Sequence, residues 1–334
     1  MPSKEELKLL QALPLEVKVL KTQQRIREWV THWGAKGVYV SFSGGKDSTV
    51  LLHLVRELYP DVEAAFVNTG LEYPEIQRFV KSFENVTILY PKKTFKQVIS
   101  DYGYPMLSKS ISHQISIAHN SPNGKIAQNY VNQPNISKFS AYKYRELTKT
   151  DFKISDICCN IMKKTPVHNY GKQTDKKAII ATMTDESQTR EAIWLQTGCN
   201  AYDCKYQISK PMSFWREQDV LQYIKENNIE IAPVYGDIIP IDGQTSFDCV
   251  KCKLCTTGCD RTGCIFCGFG AHLEKGEGRF ERLKRTHPKQ YDFCINGGAY
   301  DDNGIWKPDN KGLGMGHVFD ELNKLYGKDF IKYK

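Results

Sequence analysis

"VYVSFSGGKDSTVLLHLVRELY", Val38 to Tyr59, joins a short β-branched and aromatic run to a segment whose apolar residues recur at helical spacing, through two adjacent glycines. Strand, tight loop and helix are expected in that order. Without Cβ atoms, Gly44 and Gly45 let backbone amides approach an anion closely, and the helix that follows aims its positive end at the same point. A phosphate-binding turn at the carboxyl edge of a sheet is the chemistry this pattern favours. Walker A spacing fails, because it requires a glycine where Val40 stands and a Ser or Thr where Asp47 stands, and the dinucleotide-binding glycine spacing fails too. The competing reading is an ordinary turn with Asp47 or Ser48 capping the helix.

Working outward, "EAAFVNT" (Glu63 to Thr69), "NVTILY" (Asn85 to Tyr90) and "KAIIATM" (Lys177 to Met183) read as further short strands. Helical patterns lie over 74–83, 94–101, 213–227 and 318–325. Such alternation predicts an α/β fold, a parallel sheet doubly wound with helices. After Asp242 the pattern gives way to a Cys- and Gly-rich region. The organisation expected is a helical segment over 1–34, a nucleotide-binding domain over 35–245 with an inserted loop near 121–150, and a Cys-rich region with C-terminal helices over 246–334.

With 334 residues the chain can bury a sizeable core without cross-links. No run approaches the roughly 20 apolar residues of a membrane span, and the opening "MPSKEELKLLQALPLEVKVLKTQQ" interrupts every apolar stretch with charge. A cytoplasmic protein is expected, in which eleven cysteines serve as thiols, metal ligands or catalytic groups. The net charge of +8 fits a basic enzyme surface and permits a polyanionic partner. Ser121 to Thr150 is the most suggestive segment for one. It sets Lys125, Lys138, Lys143, Arg145 and Lys149 against the single acid Glu146, interleaved with Tyr130, Phe139, Tyr142 and Tyr144, a composition suited to bases and phosphates or to a long solvated loop.

The loop Ser43, Gly44, Gly45, Lys46, Asp47, Ser48 closely resembles the PP-loop of the ATP pyrophosphatases. The resemblance implies that Ser43, Gly44, Gly45 and Ser48 bind phosphate, that Lys46 stabilises developing charge as a catalytic group, and that Asp47 helps hold Mg²⁺. "NTGLEYPEI" (Asn68 to Ile76) is similar to the segment after the second strand in the phosphoadenosine phosphosulfate (PAPS) reductase branch of that superfamily, with Asn68 in place of the usual acid. Thr69 and Gly70 are thereby implied in nucleotide binding.

Adjacent thiols Cys158 and Cys159 cannot readily form a disulfide with each other, but both can reach one inorganic centre. With Lys163 and Pro166 they resemble the Cys-Cys-x-x-x-Lys-x-x-Pro segment of iron-sulfur adenylylsulfate reductases, where a distant Cys-x-x-Cys completes the site. Cys264 and Cys267 are the pair implied here, followed by a Gly278-Arg279-Phe280 that resembles the family's downstream Gly-Arg-aromatic. The expected group is a [4Fe-4S] cluster, with zinc as the alternative. Cys249, Cys252, Cys255 and Cys259 are left for a second metal site, for sulfur-relay thiols, or for no ligand, while Cys199, Cys204 and Cys294 read as buried apolar thiols.

Glu186, Ser187 and Arg190 follow the strand ending at Met183 and are the residue types that grip a sulfate or phosphate, although a capped helix start explains them too. "KRTHPKQY" adds Lys284, Arg285, His287 and Lys289, equally suited to phosphate or to a charged helix face. Trp215, Val220, Leu221 and Ile224 read as core. The thiol-dependent reductases attack the sulfonucleotide with a cysteine in a Glu-Cys-Gly-Leu-His context and carry a worn phosphate loop. This chain has no such motif after Cys294, and its loop is intact.

Three functions follow from the resemblance. The first is ATP-dependent adenylation, releasing AMP and pyrophosphate and coupled to sulfur transfer, with tRNA or DNA as acceptor and a separate sulfur donor. The second is reduction of PAPS or adenylylsulfate, with a thioredoxin-like reductant and a nucleophile moved to Cys294 or Cys259. The third is a nucleotide-sensing regulator. Oligomeric state stays open.

Overall fold

The computed structural model describes residues 2–134, 140–241 and 253–334. It divides into two compact units that interleave along the chain: Met1–Asn68, Glu72–Tyr90 and Pro166–Thr262 form the first, and Thr69–Leu71, Pro91–Thr165 and Gly263–Lys334 form the second.

The first unit carries a six-stranded sheet of β1 (Val38–Ser41), β2 (Ala64–Val67), β3 (Val86–Leu89), β4 (Lys177–Ile179), β5 (Asn200–Ala201) and β6 (Ile208–Ser209), in the order β3-β2-β1-β4-β6-β5. All neighbours run parallel except β5 against β6. Val40 pairs with Ala64 on one side and with Ile179 on the other, which places the end of β1 in the middle of the sheet. The α/β architecture with a central parallel sheet is as expected. The two-residue strands β5 and β6 were not foreseen, because a pair of residues carries no periodicity.

Helices α1 (Lys4–Gln11), α2 (Leu15–Trp33), α3 (Lys46–Leu58), α4 (Pro74–Lys81), α5 (Gln188–Thr197) and α6 (Glu217–Glu226) complete the unit's main elements. In α3, Val50, Leu51, Leu54 and Val55 form the buried stripe, a spacing that only a helix brings onto one face. Trp215, Val220, Leu221 and Ile224 are buried, as their pattern predicts, and Trp215 donates its indole N–H to Thr22 Oγ1 at 2.8 Å.

The second unit contains the parallel pair Met106–Leu107 with Gly268–Phe269 and the helices Phe95–Tyr102, Lys109–Asn120, Arg279–Thr286, Pro288–Ile295 and Met315–Tyr326. Phe280, Leu283, Val318, Phe319 and Leu322 are buried. The segment 121–150 is less open than a long solvated loop. Its residues Ala127, Val131, Ala141 and Leu147 are buried, and Ala141 donates its amide to Gln114 Oε1 at 3.0 Å. Tyr144, partly buried, packs edge-on against Tyr326 at 5.2 Å. Lys138 and Phe139 lie outside the described residues.

Candidate functional site

The loop after β1 folds by local hydrogen bonds that its own residues supply. Ser48 Oγ donates to Gly45 O at 3.0 Å and lies 3.0 Å from Ser43 Oγ, while Thr49 Oγ1 also donates to Gly45 O. Gly44 has φ +71, and a Cβ there would stand 2.8 Å from a Val80 methyl and 2.9 Å from an Ile76 methyl. Left-handed backbone and close approach of α4 both require glycine. Gly45 caps α3, so the amide end of that helix opens at the loop.

Charged groups gather around it. Lys46 is buried, its Nζ 3.2 Å from Glu217 Oε1 at the start of α6 and 5.3 Å from the centre of the Tyr235 ring. Tyr235 Oη lies 2.5 Å from Thr262 Oγ1, and burial pushes its phenol up to about 12. Burial also raises the Asp47 carboxyl, opposed by the charges of Lys46, Arg261 and Arg190. Glu186 pairs with Arg190 and, at 3.4 Å, with Arg261. Ser187 caps α5, accepting the Arg190 amide at 3.3 Å. The expected loop residues Ser43, Gly44, Gly45, Lys46, Asp47 and Ser48 thus share one neighbourhood with Glu186 and Arg190. Three cations beside a glycine turn can neutralise a polyphosphate.

Four residues of this neighbourhood escaped the sequence reading: Glu217, Tyr235, Arg261 and Thr262. Arg261 and Thr262 stand between Cys259 and Cys264, where the cysteines drew all the attention. The strand pair Ile238–Pro240 with Leu254–Thr256 leads into this turn, and Gln218 of α6 holds it through both backbone groups of Leu254 at 3.0 and 2.7 Å. Cys255 sits in that strand, and Cys259 is buried in the turn, its amide donating to Val234 O at 2.9 Å. Cys249 and Cys252 lie outside the described residues.

In the second unit, Thr69 Oγ1 accepts the Leu71 amide at 3.1 Å, and Leu71 O accepts the Ile265 amide at 2.8 Å. Gly70 has φ +73. That unit also assembles the four implied thiols. Burial is the first cause raising Cys158, followed by the charges of Cys264, Cys159 and Cys267, while Lys163 opposes them. Burial likewise raises Cys267. The Gly278-Arg279-Phe280 segment has a structural role here: Arg279 donates to Cys267 O at 2.9 Å and to Glu274 at 2.7 Å, and Phe280 is fully buried. Among the described residues no three His, Cys, Asp or Glu side chains close around a single ion position.

The isolated cysteines differ from one another. Cys199 and Cys294 are buried as expected, and burial raises the Cys294 thiol well above its ordinary value. Cys204 corrects the expectation, since it is exposed in the loop between β5 and β6. Of the downstream basic residues, Arg285 pairs with Glu277 at 2.9 Å, which fits a charged helix face. No described helix is long and apolar enough to cross a membrane.

A family model, the phosphoadenosine phosphosulfate reductase domain, matches residues 37–107 and 125–268, more than half of the chain. The phosphoadenosine 5'-phosphosulfate reductase of Buchnera aphidicola subsp. Acyrthosiphon pisum (strain 5A) is 23% identical over 240 residues, 71% of this chain and 80% of that protein. That of Xanthomonas axonopodis pv. citri (strain 306) is 34% identical over 70 residues, 21% of this chain and 29% of that protein. An uncharacterized protein of Methanocaldococcus jannaschii is 32% identical over 72 residues, 20% of this chain and 18% of that protein. The chain therefore spans less than a third of the length of the last two. Among solved structures, the phosphoadenylyl-sulfate (PAPS) reductase from Candida auris in its phosphate complex is 13% identical, with 70% of this chain and 91% of that chain covered and a TM-score of 0.38.

Proposed function

The chain belongs to the phosphoadenosine phosphosulfate reductase family, and on that premise we propose that it adenylates an acceptor with ATP and couples this to sulfur transfer. The observation that carries the reading is the intact glycine turn with buried Lys46 and the two arginines Arg190 and Arg261 electrically coupled to Asp47. A reductase acting on an already activated sulfonucleotide has no need to stabilise a departing pyrophosphate. This site has the groups for it.

In the proposed step an acceptor oxygen attacks the α-phosphorus of ATP, the new O–P bond forms, and the bond from the α-phosphorus to the bridging oxygen breaks with its electron pair leaving on pyrophosphate. The amides at Gly44 and Gly45 and the hydroxyls of Ser43 and Ser48 cradle the departing phosphates. Lys46 exchanges Glu217 for a phosphate oxygen, and Arg190 and Arg261 neutralise the charge that remains. A sulfide-level sulfur from a separate donor then attacks the acceptor atom that bears the adenylate: the bond to sulfur forms, the bond to the adenylated oxygen breaks, and its electron pair leaves on AMP. Asp47 is the group that would hold Mg²⁺, which when bound would neutralise the phosphates further.

Cys158, Cys159, Cys264 and Cys267 fit an inorganic centre, being soft donors, mutually close and partly or fully buried. The adjacent pair Cys158 and Cys159 and its resemblance to the iron-sulfur reductase segment favour a [4Fe-4S] cluster over zinc, and the cluster would supply electron transfer or sulfur chemistry. A tRNA or DNA acceptor is favoured by the exposed cations Lys125, Lys143, Arg145 and Lys149.

Sulfonucleotide reduction is the second reading, favoured by the relatives whose printed names are phosphoadenosine 5'-phosphosulfate reductase. Against it stand its two expected nucleophiles, since Cys294 is fully buried and Cys259 is buried as well. Anaerobically purified protein given ATP and Mg²⁺, with and without total RNA or DNA, should release AMP and pyrophosphate. Intact ATP together with sulfite release from PAPS and thioredoxin would replace this reading by the second.

A further inference from the structure

The first unit contains a cavity of about 420 Å³ beside β4 and β6, in the size range of small-molecule sites. Ile180, Trp194 and Ile208 give it apolar walls, and Arg190, Lys205 and Lys210 set three cations on the same lining. Thr182 Oγ1, also of that lining, is buried and has no hydrogen-bond partner among the described residues. Burial pulls the Lys210 ammonium down, while Cys199 and Cys204 push it back, so an anion brought to Lys210 would relieve the cost of its burial. Arg190 belongs both to this cavity and to the charges around Asp47.

Apolar walls that include the Trp194 ring, an unpartnered Thr182 hydroxyl and a cationic lining suit a planar heteroaromatic ring carrying a phosphate. A bare anion would leave the apolar walls wet, and an uncharged aromatic would leave the cations unmatched. Two such rings are conceivable, that of ATP and that of the acceptor. β2 and β4 flank β1 on opposite sides, and the cavity lies on the β4 side with Arg190 as its link to the charges around Asp47, so a second ring seated there adjoins the loop without occupying it.

We propose that this cavity is the acceptor site, receiving a nucleobase with its phosphate ester on Lys205 and Lys210. The proposal rests on the reading of the 43–48 loop as the ATP phosphate site.

Exposed Cys204, on the cavity lining, provides the readout. Its alkylation is followed peptide by peptide in the intact protein saturated with an ATP analogue carrying a methylene bridge between the α and β phosphorus atoms. UMP, CMP or a short oligouridylate, added at about ten times its dissociation constant, should slow Cys204 alkylation roughly tenfold. Protection by UMP and CMP as well as the oligonucleotide marks free nucleotides as sufficient, and protection by the oligonucleotide alone marks nucleic acid as the source; either supports the site. The added protection should disappear in Ile193→Trp, which enlarges a partly exposed lining residue, and weaken in Lys205→Glu, a surface change that preserves folding. Protection by the ATP analogue with nothing further from the pyrimidine probes would assign the cavity to the adenine of ATP and overturn the proposal. So would unchanged protection in both variants, or no protection at all. Analogue binding to the loop, measured on the same samples by calorimetry, separates the two readings: binding there without added protection refutes only the acceptor site, and its absence refutes the loop assignment on which that site depends.

Discussion

Lys46 Nζ lies 3.2 Å from Glu217 Oε1, a cation 5% exposed held by a carboxylate 43% exposed. The buried partner cannot be left alone cheaply, whereas the exposed one can turn to solvent. A phosphate oxygen arriving at the loop can therefore take over Lys46 at little cost. Lys46→Met should reduce pyrophosphate release by roughly 10²–10³-fold, the scale seen when one charge-stabilising donor is removed. Glu217→Gln leaves the buried Lys46 ammonium without its carboxylate and should lower stability by about 1–3 kcal/mol, more than an exposed pair costs and less than a fully buried one, and should enlarge the rise in Tm produced by the ATP analogue. Thermal melts with and without the analogue decide it; an equal or smaller rise in the variant refutes the exchange.

Gly44→Ala tests the geometry of the loop. The added methyl meets Val80 and Ile76 at 2.8 and 2.9 Å on a backbone at φ +71. A loss of about 1–3 kcal/mol is expected by urea unfolding, with weakened nucleotide binding. Wild-type stability and affinity would show that the turn relaxes freely.

For the thiols, Cys264→Ser should abolish the visible absorbance of anaerobically purified protein while leaving ATP-analogue binding intact. Cys294→Ala should keep the absorbance and cost about 1–2 kcal/mol of stability, since Cys294 is fully buried beside Met315. If Cys264→Ser keeps its spectrum, these thiols are not the ligands.

Burial pushes the Tyr39 and Tyr235 phenols from their ordinary 10 up to about 12. Between these values the folded protein binds more protons than the unfolded chain, so the stability these two phenols contribute is level below about pH 10 and falls from there toward pH 12, by about 3 kcal/mol for each tyrosine. Tyr39→Phe should flatten that fall in alkaline denaturation curves. A slope unchanged from wild type would mean that Tyr39 ionises freely in the fold.

The loop was legible because everything it needs is contiguous: Ser43, Ser48 and Thr49 close it by bonds within five residues, and Gly44 supplies its conformation. The strands around it were legible for the same reason, as apolar runs of three or more residues. Glu217 was not, because it reaches Lys46 across 171 residues of chain, and nothing near Glu217 distinguishes it from any acid in the first turn of a helix. Tyr235 and Thr262, 27 residues apart, read as unremarkable until their hydroxyls meet.

By its residues alone the chain specified a glycine turn between a strand and a helix, a parallel sheet to carry it, and six cysteines between Cys249 and Cys267. Only the tertiary structure decided how the described ones among them divide. Cys259 is drawn into the first unit by its hydrogen bond to Val234, with Arg261 brought to Glu186, while five residues beyond it Cys264 enters the second unit with Cys158 and Cys159. Spacing sets which thiols can travel together along the chain, but burial and hydrogen bonds to distant backbone set which unit each one joins.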